Sequence, residues 1–269
     1  MCQAPIKGGQ ESVRYSLQLT EGNCNVNSRQ RIFRALDCRE PDRVPIGEIV
    51  IDRQIVDGLN EIYGKKYEDV LDLALDQGID LVGTVADFGK VKELPDGSYK
   101  DKWGCIYKSY STHPLDGPIK NENDLKHYEF PDPDDPALLS NLGILVEKAN
   151  GQIAVNFHGR VAFMWSVYLM GMDNLLMAMA TKPDFVHEIF DKVAGVNIRL
   201  IKNAVEAGAD TISLGDDYCS NKGPLMSPVM FHEFILPQLK RAVAVIHEAG
   251  AKCIKHCDGN TWAILEDML

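Results

Sequence analysis

The sequence predicts an α/β protein of the TIM (β/α)8 barrel type, and three observations point there. The tetrapeptide Glu-Ala-Gly-Ala occurs at residues 206–209 and again at 248–251. Each copy ends a helical pattern on a glycine, runs through a short apolar stretch and reaches an aspartate eight residues past its glycine: Asp216 after Gly208, Asp258 after Gly250. A third unit of the same form leads from Gly78 to Asp87 with a nine-residue spacing. A helix stopped by glycine, then a strand, then a polar cluster, is how a β/α unit presents chemistry at the carboxyl end of its strand.

Along the chain, Ser28 is expected to cap a first helix, RQRIFRALDC, whose Ile32, Phe33 and Leu36 fall on one face. The turn EPDR feeds VPIGEIV, a first strand ending near Glu48. A helical stretch around 68–77 stops at Gly78, and IDLVGTVADFG is the second strand, closing on Asp87. From about 90 to 136 the alternation is interrupted by GSYKDKWGCIYKSY, a small hairpin, and by the turn-rich PDPDDP, so this segment is expected to be an insertion. A helix over 137–149 and the strand QIAVNFHG, ending on His158, follow. Helices are expected at about 173–180 and 182–207, the second with Val186, Ile189, Val193, Leu200 and Ala204 near helical spacing and Pro183 in its first turn. TISLGDD is the fourth strand. Ser227 and Pro228 then open a helix running to Ala249 with a kink at Pro237. AKCIKHCDGN is the fifth strand, and TWAILEDML starts another helix. Eight units close such a barrel, so the expectation is a barrel truncated after its fifth unit, with a five-stranded open sheet as the structural alternative.

The 269 residues carry a formal charge of −11, which disfavours nucleic acid or an anionic membrane surface, since both call for a basic footprint. Seven scattered cysteines without a Cys-x-x-Cys pair are thiol usage of a reducing compartment. Residues 1–27 are polar and lack the apolar core of a signal peptide, and no stretch reaches the roughly 18 apolar residues of a membrane span. A flexible tail over 1–27, a single partial barrel over 28–269, a cytoplasmic location and a small-molecule substrate are expected.

The candidates for chemistry are the polar residues at strand ends: Glu48, Asp87, His158, Asp216, Asp217, His256 and Asp258. A lone strand-end aspartate more often caps a helix or fixes a turn; concurrence at one end of successive strands favours function. His256 and Asp258 share a face with Ile254, and the repeat register places Leu214 and Asp216 equivalently. With that face inward, His256, Asp258 and Asp216 converge as the catalytic group with Asp87. With the opposite face inward, the group is Lys255, Cys257 and Asp217. We take the first, because a lysine facing outward can snorkel toward solvent. A carboxylate beside an imidazole serves as an acid/base pair or binds a divalent ion such as zinc, here through His256 and Asp258. The Met- and aromatic-rich HGRVAFMWSVYLMGM reads as packing, with Arg160, Trp165 and Tyr168 placed to line a pocket mouth.

NSRQRIFRALDCREPDRVPIGE, MGMDNLLMAMATKPDFVHEIFDKV, EAGADTISLGDD, GPLMSPVMFHEFILPQLKRAV and IKHCDGN together resemble the uroporphyrinogen decarboxylase superfamily, which includes cobamide-dependent methyltransferases. The resemblance runs from about Ser28 to Leu269 and implies a (β/α)8 barrel. The decarboxylases hold substrate carboxylates with an arginine pair after the first strand; here PIGEIVIDRQ offers Glu48 and only Arg53, while the family's aspartate after the second strand matches Asp87 and Tyr168 lies near its tyrosine. Zinc methyltransferases carry His-x-Cys-Gly-Asn at the end of the fifth strand. Here the run is His256, Cys257, Asp258, Gly259, Asn260, so His256 matches and Asp258 stands in place of the ligand cysteine. The resemblance implies methyl transfer between a small methylated substrate and a corrinoid on a partner protein, with Glu48, His158, Tyr168 and Asp217 as substrate-binding residues. A porphyrinogen-type decarboxylase and an inactive barrel fragment are the other two expectations.

Overall fold

The computed structural model describes residues 26–64, 66–108 and 111–269, so the tail expected over 1–27 lies, but for its last two residues, outside the described residues. Helix α1 (Ser28–Leu36) is capped by Asn27 rather than Ser28. The Asn27 side chain accepts the Gln30 backbone N–H at 2.8 Å, and Gln30 Oε1 accepts the Asn27 N–H at 3.1 Å. This reciprocal box satisfies two end donors that a serine already inside the helix cannot reach. After the short strand β1 (Gly47–Glu48) comes α2 (Arg53–Tyr63), a helix not expected from the sequence, capped by Asp52. Helix α3 (Val70–Gln77), capped by Asp69, leads into β2 (Leu81–Val85).

The insertion then forms its own antiparallel sheet of β3 (Lys92–Glu93), β4 (Ser98–Lys100) and β5 (Ile106–Lys108), so the expected hairpin β4–β5 gains a third strand. Helix α4 (Glu122–His127) and a 3-10 turn (Pro136–Leu139) lead to α5 (Ser140–Ala149) and β6 (Ala154–Gly159). Helix α6 (Phe163–Met170), like α4, was not expected. Seven of its eight residues are buried, so it carries no polar face from which a helical stripe could be read. Helices α7 (Met172–Thr181) and α8 (Pro183–Glu206) match the two expected there. Beyond β7 (Thr211–Leu214) lies a small ribbon, β8 (Cys219–Ser220) with β9 (Gly223–Pro224). The helix opened by Ser227 runs as α9 (Pro228–Met230), a π turn (Phe231–Ile235) and α10 (Leu236–Glu248). Where a proline kink was expected, the widened turn just before Pro237 accommodates its ring and its missing N–H. Strand β10 (Lys252–Lys255) and α11 (Leu265–Met268) complete the order.

Strands β1, β2, β6, β7 and β10 pair in that order, every neighbour parallel. Sheet order equals chain order and helices fill the connections, which is the wall of a (β/α) barrel rather than a doubly wound sheet, whose order reverses. The described residues therefore hold five successive units as a half-barrel. Val155, Phe157 and Ile212 face the helical layer, packed with Val193 and Leu200 in one buried cluster.

At the amino end of the sheet, Ile32 of α1 packs on Leu81, Ala154 and Ile254. Two aspartates just ahead of their strands tie that end down. Fully buried Asp80 accepts from Arg31 at 2.6 Å, Arg43 at 2.7 Å and the Ile46 N–H at 2.9 Å. Asp210 accepts from Arg29 at 2.7 Å and the Val155 N–H at 3.0 Å. Removing Asp80 takes from Arg43 its carboxylate and from Arg31 one of two, the other being Asp42, and removing Asp210 takes that of Arg29, changes that belong to stability and not to chemistry. No helix among the described residues is long and apolar enough to cross a membrane.

Candidate functional site

The register of the sheet decides which strand-end residues meet. Thr211 pairs with Lys252 and Leu214 with Lys255, an offset of 41 positions, whereas the Glu-Ala-Gly-Ala copies stand 42 apart. A slip of one residue reverses the face. Continuing the pairing past the strands sets His256 beside Gly215 and Asp258 beside Asp217, with Asp216 turned to the other side. The convergence expected of Asp216 with His256 and Asp258 is thus corrected: Asp217 takes that place.

His256 Nε2 lies 3.5 Å from Asp217 Oδ1 and 3.7 Å from Asp258 Oδ1, and one donor atom from each of the three residues falls within 4.8 Å of the others. The loop after β10 is held in this position by the backbone: Asp258 N–H donates to Asp217 Oδ1 at 2.9 Å and His256 N–H to the Leu214 carbonyl at 3.0 Å. Donors around a tetrahedral ion with bonds of about 2.1 Å stand roughly 3.4 Å apart, and the two His256 separations are close to that, so these three residues could hold a divalent ion. Two carboxylates facing one imidazole, with no cationic side chain hydrogen-bonded among them, also favour a cation electrostatically. Asp217 thus stands with His256 and Asp258, the two residues expected from sequence to bind an ion.

Asp216 is fully buried and holds the neighbouring unit together. Its Oδ2 accepts the Val161 N–H at 2.6 Å and its Oδ1 the Met164 N–H at 2.9 Å, capping α6, whose own cap position, Ala162, has no side chain for the task. Lys255, expected to snorkel outward, instead lies 4.5 Å over the Tyr218 ring and donates to the carbonyls of Leu214, Asp216 and His256. Burial pulls its pKa below the usual lysine value. The lysine clamps the ends of β7 and β10 together beneath the triangle.

His158, at the end of β6, is the fourth polar group on the triangle's side of the sheet. A chain of buried side chains fixes it: Thr211 Oγ1 donates to Asn156 Oδ1 at 2.9 Å, Asn156 Nδ2 to Ser213 Oγ at 2.9 Å, and Ser213 stands 2.9 Å from His158 Nδ1. With Asn156 so oriented, the Ser213 hydroxyl proton is free for His158 Nδ1, an arrangement that favours the tautomer with the imidazole proton on Nε2. Burial, with Arg160 and His256 adding to it, pushes His158 down to about 4, so it is neutral at pH 7. The ring lies where a side chain at position 215 would be: a Cβ on Gly215 would come within 2.2 Å of His158 Cε1.

His158 lines a cavity of about 320 Å³ between the barrel wall and the insertion. Arg160 and Tyr168 line it as expected, the guanidinium 5.5 Å over the Tyr168 ring, and burial raises the Tyr168 hydroxyl. Lys90 and Asp101 enter from the insertion. Burial raises Asp101 to about 6. Two expected residues stand apart. Asp87 is exposed, only its backbone N–H being held, by the Leu138 carbonyl at 3.0 Å. Glu48 lines a separate cavity of about 870 Å³ against α2 and α3. Ser213, Asn156, Lys90 and Asp101 were not singled out from sequence; the first two were legible only as interior positions of β6 and β7.

A family model described as "Uroporphyrinogen decarboxylase (URO-D)" matches residues 106–269, which takes in His158, Asp217, His256 and Asp258. The uroporphyrinogen decarboxylase of Carboxydothermus hydrogenoformans is 24% identical over 160 residues, 56% of this chain and 44% of that protein. That of Geobacter sulfurreducens is 21% identical over 150 residues, 53% of this chain and 43% of its own. The matched stretch thus spans less than half the length of each. Among solved structures, a methyltransferase from Methanosarcina mazei superposes with a TM-score of 0.59 over 90% of this chain and 73% of its own, at 20% identity, a likeness of fold. With a family model spanning more than half of its length and five parallel units in barrel order, the chain belongs to the uroporphyrinogen decarboxylase family.

Proposed function

We propose that the chain is a methyltransferase of this family, moving a methyl group between a small methylated substrate and a corrinoid carried by a partner protein. The observation behind this reading is the Asp217, His256 and Asp258 triangle, with donors spaced for one divalent ion beside a cavity of small-molecule size. Bound there, the ion supplies Lewis-acid polarisation of the heteroatom that carries the methyl group. The chain's own residues do the rest. Lys255 and the Asp258 N–H fix the two strand ends, and so the spacing of the donors. His158, neutral and with its proton on Nε2, offers a hydrogen bond to a substrate heteroatom in the cavity. Phe88, Trp165 and Tyr168 exclude water from it.

The test is methyl transfer to cob(I)alamin by the full chain with zinc, followed by the absorption change that marks methylcobalamin. Methylated and methoxylated donors should give the change, and Asp217→Ala or His256→Ala should abolish it. No change across the panel counts against the reading. A decarboxylase of porphyrinogen type is the second reading, favoured by Lys90 and Arg160, two cations that line the cavity and could hold substrate carboxylates. Release of carbon dioxide from uroporphyrinogen without added metal would establish it in place of the first.

A further inference from the structure

The His158 cavity is lined by two cations beside His158, Lys90 and Arg160, and by one carboxylate, Asp101. In a chain of formal charge −11, Arg29, Arg31, Arg43, Arg53, Arg199 and Arg241 each hold a carboxylate. Among the described residues Arg160 holds none, and its Nε is shut off from water without an acceptor. A buried donor left unmade is destabilising, and an acceptor brought by a ligand would satisfy it. Lys90 also lines the cavity without a carboxylate among the described residues, its Nζ resting 4.8 Å over the Tyr99 ring. The carboxylate that does line the cavity, Asp101, is turned toward the insertion, where it accepts the Cys105 N–H at 2.9 Å and interacts with the Tyr107 hydroxyl. Two cations are therefore left to face the space.

The walls are flat. Trp165 meets Phe88 edge to face at 5.0 Å and Tyr168 at 5.5 Å, and is stacked from behind by Trp103 at 4.5 Å. A volume of about 320 Å³ is at the low end for ligand sites, enough for one ring with its substituents. We propose that this cavity binds a small ring acid, a single flat ring bearing a carboxylate. Arg160 anchors the carboxylate by the paired N–H geometry that a guanidinium offers, Lys90 adds charge from the insertion, and the ring lies among Phe88, Trp165 and Tyr168. In the methyltransferase reading, on which only this last step rests, the ring's methoxy or methyl substituent is the group presented to the triangle.

Benzoate and its neutral isostere benzamide, titrated into the full chain, test the inference through tryptophan fluorescence, since Trp165 lines the cavity. Saturable quenching by benzoate is expected, at least tenfold tighter than by benzamide. Arg160→Met, which keeps the aliphatic stem, should lose at least tenfold in benzoate affinity while benzamide is unaffected, and Lys90→Gln should lose a smaller factor. Thermal melts check that each variant folds; should Arg160→Met fail, Arg160→Lys is expected to bind benzoate more weakly than the wild type. Absence of saturable benzoate binding, equal affinity for benzamide, or an unchanged Arg160 variant would overturn the inference. The functional reading is separated by 4-methoxybenzoate: binding without methyl transfer to cob(I)alamin leaves the ring-acid site standing and removes the methyltransferase. Transfer from neutral donors that benzoate does not inhibit does the reverse.

Discussion

Asp216 and Asp217 are adjacent in sequence and opposite in role, and replacing each by alanine separates the two roles. Asp216→Ala removes the acceptor of two buried N–H groups, those of Val161 and Met164. Each buried donor left unpaired costs about 1–3 kcal/mol, and loss of a negative charge at the start of α6 adds about 0.3–1 kcal/mol, for a total of roughly 2–7 kcal/mol. Asp216→Asn keeps an oxygen for one of the two bonds and should lose about half as much. Asp217→Ala touches a half-exposed side chain whose one backbone bond secures a loop, and should stay within about 1 kcal/mol. Urea unfolding without added metal measures all three, with the midpoint shift converted at constant slope. Zinc binding by isothermal titration supplies the complementary readout: Asp217→Ala should abolish it and Asp216→Asn retain it. A stable Asp216→Ala chain that has lost zinc binding, beside an Asp217→Ala chain that binds normally, would refute the one-residue register on which the site is built.

Three further outcomes follow from the same geometry. His158 has a folded pKa of about 4 against 6.5 when unfolded, so the unfolded chain takes the proton first as the pH falls; on the order of 3 kcal/mol of stability, present above pH 6.5, is lost between about 6.5 and 4. Asp101, raised to about 6, works the other way, its stability contribution falling as the pH rises from about 3.8 to 6. Unfolding curves across that range should therefore rise more steeply with pH for Asp101→Asn than for the wild type, and less steeply for His158→Gln. Gly215→Ala forces the His158 ring away, at about 1–3 kcal/mol of overpacking, and should be visible as a shifted imidazole resonance and lost turnover. Zinc should raise the melting temperature of the wild type but not of His256→Ala, whose metal-free stability should be nearly unchanged because its side chain is partly exposed.

The barrel architecture was legible because its signals are local: a glycine after each helix, a short apolar run, a polar strand end. Helix α6 escaped notice because burial on all sides leaves no periodic stripe; α2 does carry a stripe, Ile55, Val56, Leu59 and Ile62, in the run that follows the first strand, where no helix was expected. Of the candidate site, His158, His256 and Asp258 were placed at strand ends, and His256 and Asp258 on a common face; the side of His158 was not read. Asp216 was placed wrongly for a physical reason, since repeat spacing reports where a motif recurs while inter-strand hydrogen bonds determine which way it points. The partnerships of Asn156 and Ser213, and the turning away of Asp101, depend on neighbours more than 50 residues distant or on the insertion's own fold, and no local pattern announces them.

The mismatch between the 42-residue repeat and the 41-residue pairing has a consequence for barrels in general. Strands that stagger against their neighbours lie tilted to the barrel axis, and the accumulated stagger is the shear that lets the wall close. A β/α unit repeated in such a wall with a slip of one residue does not expose the same positions as its twin: where one copy turns a residue toward the lumen, the other turns it toward the helices. Here Asp216 and Asp258 hold matching positions of the repeat, yet one caps a helix and the other stands beside Asp217 and His256. Tilt alone thus gives copied sequence two separate sets of lumen residues, which selection can alter independently without disturbing the framework they share.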